Sequence, residues 1–157
     1  MRCLTRDESL QWRRDHSPRR EWKQQFTCVT PLKDLPWFAT ELADSARDFR
    51  AALLLVDIIL GTNAIESWRQ SLGEQRPVGE APGHLIEANV NELTAALAAA
   101  LQDTVDITVL FDPARLAIFA DHDEYTTVFS PSPLGQLKER LTERGVRLVD
   151  YHRASAP

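Results

Sequence analysis

The sequence predicts a single α+β domain, with a mixed central sheet of about five strands, a helix layer and a C-terminal β-hairpin–helix–strand unit. Three observations predict it. Segments with apolar residues every three or four positions alternate with short runs of branched residues. Val105 to Phe111 and Leu116 to Ala120 are joined by a turn short enough to demand a hairpin. A chain of 157 residues with 43% apolar content suits one core of ordinary size. A mixed α/β arrangement is the alternative, because helices alternate with strands over most of the chain.

The elements follow in order. Thr5 and Glu8 have the spacing of a capping box, which starts a helix over residues 5–16. Phe26 to Thr30 is a short strand. Pro31 opens a helix whose stripe is Leu35, Phe38, Leu42, Ala46 and Phe49. Ala51 to Leu60 is a strand buried on both faces, ended by Gly61. Asn63 and Glu66 form a cap and box before a helix with Ile65, Trp68 and Leu72 on one face. Gly73 to Gly83 is a surface loop, and His84 to Glu87 a short strand. Asn89 and Glu92 repeat the box ahead of Val90, Leu93, Leu97 and Leu101. The hairpin comes next, with its turn at Asp112 to Arg115, then an extended piece at Thr126 to Phe129. Ser132-Pro133 opens the last helix, Gly145 ends it, and Val146 to Tyr151 is the last strand.

Charge divides the chain unevenly. Residues 1–23 carry a net +3, leaving −8 for the rest of a chain whose total is −5. The expected organisation is a basic N-terminal arm or helix at 1–24, an α+β domain at 25–153 and a frayed tail at 154–157. The arm has too little aliphatic surface for its own core, so Trp12 or Trp22 is expected to anchor it to the body. Composition excludes a wholly disordered, collagen-like or disulfide-dense chain. The run Ala51 to Leu60 falls short of the roughly 20 residues a membrane helix needs. Residues 1–20 lack the apolar stretch of a signal peptide, so a cytoplasmic location is expected. Arg (15) far outnumbers Lys (3), which suggests a GC-rich bacterial genome and says nothing of function.

Cys3 and Cys28 have no CxxC spacing; Cys28 is expected as a small buried hydrophobe and Cys3 as a free thiol. Dinucleotide, phosphate-loop and G-x-S-x-G motifs are absent, so no cofactor and no catalytic residue is assigned. The most distinctive polar cluster is Asp121, His122, Asp123 and Glu124, followed by Tyr125, directly after a strand. With Trp37 these residues are the candidate binding face. Asp121 or Asp123 also has the chemistry to cap a turn through backbone N–H groups. The metal alternative joins Asp121, His122 and Asp123 to His84, although neighbours in an extended chain point to opposite sides. His84 otherwise fits a half-buried ring bonded to a backbone carbonyl. Asp57, inside an apolar strand, is expected at an edge or paired with Arg50 or Arg69.

The hairpin–helix–strand layout of the last third is similar in outline to small bacterial α+β domains, including immunity proteins and antitoxin-like partners. The likeness carries no motif and transfers no site. The expected function is a small cytosolic, non-enzymatic binder of another macromolecule, with an immunity or defence-accessory role as one version. The partner is a protein or a second copy. Nucleic acid, through Arg13, Arg14, Arg19 and Arg20, is opposed by the acidic body. The alternative is a divalent-metal hydrolase or nuclease using the 121–124 cluster.

Overall fold

The computed structural model describes residues 1–16, 22–46, 48–58, 61–103, 105–113 and 116–150. Among these residues eight strands form one sheet: β1 (Arg2–Leu4), β2 (Gln24–Val29), β3 (Ala51–Ile58), β4 (Gly83–Glu87), β5 (Asp106–Asp112), β6 (Ala117–Ala120), β7 (Tyr125–Ser130) and β8 (Leu148–Val149). Their order is β1-β4-β3-β5-β6-β7-β2-β8. The helices are α1 (Arg6–His16), α2 (Leu35–Asp44), α3 (Asn63–Ser71), α4 (Val90–Gln102) and α5 (Gly135–Glu143). The class is α+β, as expected, and the β5–β6 hairpin is present.

Two expectations about the sheet are corrected. Among the described residues it has eight strands, not about five, and every pairing is antiparallel, so it is not mixed. The register explains the second error. α4 links β4 to β5, which run the same way, but β3 lies between them and runs opposite. α5 links β7 to β8 across β2 in the same manner. A helical crossover does join strands of one direction, yet an intervening strand removes the parallel pair.

One face of the sheet carries the main core. Phe38, Leu42, Ile65, Leu93, Leu97 and Leu141 from α2 to α5 meet Leu54, Ile86, Val109 and Ile118 there. All five stripe residues expected at 35–49 are buried, but α2 ends at Asp44, so Ala46 and Phe49 reach the core from beyond the helix. α2 starts later than expected, because a 3-10 turn at Leu32–Asp34 follows Pro31. The opposite face has a smaller core of Leu53, Leu85, Leu110, Phe119 and Phe129, closed by Trp12 of α1 with Trp22 packed against it. Residues 2–16 therefore contribute an edge strand and a covering helix.

Local chemistry sets the helix ends. Thr5 and Glu8 form a reciprocal capping box, with Thr5 N–H donating to the Glu8 carboxylate at 2.7 Å. Asn89 caps α4 by accepting from Glu92 N–H. The box expected at Asn63 and Glu66 does not form. Instead the Asp103 carboxylate, just past α4, accepts the Ala64 and Ile65 N–H groups, each at 2.9 Å. Glu66 holds the Val78 N–H at 2.7 Å. That bond helps fix the 73–83 loop, whose Val78 and Ala81 are fully buried in place of the expected surface course. The face of α3 is also rotated: Ile65 and Arg69 are buried while Leu72 is half exposed. The last strand is shorter than expected, and Tyr151 and the 154–157 tail lie outside the described residues.

Candidate functional site

The expected cluster occupies the turn between β6 and β7. Asp121 builds that turn. Its Oδ1 accepts the N–H groups of Asp123 at 3.1 Å and Tyr125 at 3.0 Å. Its own N–H donates to the Tyr125 carbonyl, and Glu124 N–H donates back to the Asp121 carbonyl. Glu124 adopts φ +65°, a conformation unusual for a residue with a side chain. Its carbonyl accepts Thr30 N–H at 2.8 Å, which fastens the turn to the end of β2.

His122 is held from below by Asp106, the first residue of β5. Asp106 Oδ1 accepts both the His122 backbone N–H at 2.9 Å and its Nδ1–H at 2.7 Å. This hydrogen bond and the Asp106 charge push the imidazole pKa up. Nε2 points away from Asp106 and lies 4.0 Å from the Asp123 carboxylate. Asp123 is 75% exposed at its side chain, Glu124 is exposed, and Tyr125 is half-buried. The tip thus presents Asp123 and Glu124 to water on a braced turn.

A further carboxylate widens the acidic end of the sheet. Asp57, near the end of β3, accepts a hydrogen bond from Thr108 Oγ1 of β5 at 3.1 Å. Although exposed, its carboxyl is partly desolvated, which raises its pKa against that bond and against the pull of Arg6 and Arg13 on α1. Asp57 is therefore paired with neither Arg50, which bonds Asp112, nor Arg69, which is buried. Sequence reasoning missed Asp106. It precedes a strand read for its apolar alternation, and only the β5–β6 register brings it beneath His122.

The other candidate residues lie apart from this turn. Trp37 sits on α2, packed against the main core with the Arg144 guanidinium 5.2 Å from its ring centre. His84 is fully buried, not half-buried, and its Nδ1–H donates to the Leu54 carbonyl at 3.2 Å. It faces the helix layer, where Trp68 is 5.9 Å away ring to ring. The structure does not gather it with Asp121, His122 and Asp123. Among the described residues no three His, Cys, Asp or Glu side chains converge as metal ligands. Arg14 bonds Gln11, and Arg19 and Arg20 lie outside the described residues. Cys3 and Cys28 are both buried free thiols, and burial pushes Cys28 up to about 12. Among the described residues no helix is long and apolar enough to cross a membrane.

Comparison with protein-family models, curated proteins and solved structures finds no match to this chain.

Proposed function

We propose that the protein is a non-enzymatic interaction module that docks a basic protein through the β6–β7 tip. The observation behind this reading is the braced turn itself. Asp121 and Asp106 spend their carboxylates on fixing the loop, leaving Asp123, with only His122 Nε2 at 4.0 Å, and Glu124 exposed outside. A preformed tip loses little conformational entropy on binding, and a net charge of −5 steers a basic partner toward it. An immunity or defence-accessory role in the bacterial cytoplasm is one form of this function. Nucleic acid is the poorer partner, because phosphates meet the same negative field.

The test uses the full chain as bait in an extract of its source cells, beside a double variant with Asp123→Lys and Glu124→Lys. Both positions are exposed, so the variant should keep its fold and melting temperature. A partner retained by the native chain, released by moderate salt and lost from the double variant supports the proposal. Equal retention by both chains, or retention of nothing by either, overturns it. Size measurement of the bait alone separates self-association from capture of another protein.

A further inference from the structure

A buried polar pair on the helix-covered face of the sheet has no part in that tip. Arg69 of α3 is 0% exposed. Its Nη2 donates to the Arg76 carbonyl at 2.7 Å, but Nε and Nη1 have no partner. Nearby carboxylates are committed elsewhere. Glu74 is held by the side chain and backbone N–H of Arg76, and Glu66 is held by Val78 N–H. A guanidinium removed from water needs a counter-charge and acceptors for its N–H groups.

His84 of β4 is also 0% exposed, and its Nε2 has no partner. Trp68, the residue before Arg69 on α3, lies against its ring. The Arg69 charge reaches the imidazole and, together with the larger effect of burial, holds it down to about 4. Cys3, opposite His84 in the β1–β4 register, supplies no negative charge. Burial pushes its thiol up to about 11.

We propose that Arg69 and His84 wall an internal site for one small monovalent anion, of the halide class, between α3 and β4. The charge count argues for this class. One guanidinium balances one negative charge, whereas sulfate or phosphate would bury a second charge and several unanswered oxygens. With Nη2 bonded to Arg76, the free Nε–H and Nη1–H groups diverge and offer no planar fork to an oxyanion, whereas a spherical halide is held by either one. His84 Nδ1–H is spent on Leu54, so Nε2 gains a hydrogen only when the ring is protonated. Besides Arg69, the groups facing the ring are the Leu54 and Pro82 carbonyls and the Glu74 charge, all of which favour protonation. Arg69 opposes it, and a bound anion offsets that opposition. Binding therefore tightens as pH falls.

The experiment is thermal unfolding of the full chain in sodium chloride and in sodium gluconate at equal ionic strength, at pH 5 and pH 8. Crystals grown in bromide supply an anomalous map. Chloride should raise the melting temperature over gluconate, more at pH 5 than at pH 8. A bromide peak should lie within hydrogen-bond reach of Arg69 Nε or Nη1. Arg69→Met should abolish the chloride increment. Should that variant fail to fold, the native salt series and the bromide map decide together. Equal melting in the two salts, or no bromide peak at Arg69, overturns the assignment. Peaks at surface residues alone mean an adventitious ion only and overturn it as well.

Discussion

Asp106 Oδ1 holds His122 twice, through the backbone N–H and through Nδ1–H. One carboxylate therefore fixes both the path of the turn and the orientation of the ring. It also keeps Nδ1 protonated and leaves Nε2 as the atom that titrates toward solvent. Because the folded-state pKa is raised, the stabilisation is fully present below the unfolded value of about 6.5 and is lost as pH rises through the folded value. Asp106→Asn should bring the His122 titration, followed by ring proton NMR, down from its native position. It should also flatten the stability change over that window. An unchanged titration would mean that the pair does not hold in solution.

Asp57 has the opposite linkage. Its folded pKa is raised mainly by partial desolvation, so above the unfolded carboxylate pKa its charge carries a small cost in stability, which fades as the group protonates at acid pH. Asp57→Asn keeps an oxygen to accept from Thr108 and removes the charge. Because Asp57 is exposed, solvent screens most of this cost, so the variant should melt only slightly higher than the native chain at pH 7, with the difference vanishing toward pH 4. A lower melting temperature at pH 7 would show that attraction to Arg6 and Arg13 outweighs burial.

Asp103 links two helices. Its carboxylate caps α3 while its backbone sits at the end of α4, where its N–H donates to the Ala100 carbonyl. Asp103→Ala leaves two N–H groups at the start of α3 without their acceptor. The expected loss is about 1–2 kcal/mol in chemical denaturation, in the range for removing a helix cap. Asp103→Asn retains one acceptor oxygen and should fall between the two. A loss confined to a few tenths of a kcal/mol would mean that water replaces the cap.

What the sequence shows and hides follows from the range of the forces involved. The Leu35–Leu42 part of the stripe and the Thr5–Glu8 box depend on residues three or four apart, and both are visible in the chain. The Asp121 turn is equally local. β1 escapes notice because Arg2–Leu4 is too short to show alternation, and it is a strand only through its pairing with β4. The cap on α3 comes from Asp103, far along the chain, so Thr62 and Asn63 give no sign of it. Asp106 and Arg69 follow the same logic. Each gains its role from a neighbour that only the sheet order, or the rotation of α3, brings near.

Gly83 and Ser9 record how closely α1 lies on the sheet. A Cβ added at Gly83 would fall 2.0 Å from Ser9 Oγ and 3.2 Å from Ser9 Cβ and Leu4 Cβ. Ser9 cannot easily swing away, because its hydroxyl donates to the Thr5 carbonyl inside the capped first turn. Gly83→Ala must therefore lift α1 or shift β1 and β4, and either movement loosens the Trp12 cluster. Overpacking of this kind costs roughly 1–3 kcal/mol. Ser9→Ala alone removes the hydroxyl and one hydrogen bond, with a loss of about 1 kcal/mol. Combined with Gly83→Ala, it removes the 2.0 Å clash and leaves the 3.2 Å contacts. The double variant should then be more stable than Gly83→Ala alone, a coupling that urea denaturation of all four chains measures directly. Additive losses would show that α1 does not press on β4 at this point, and that Trp12 is held by other contacts.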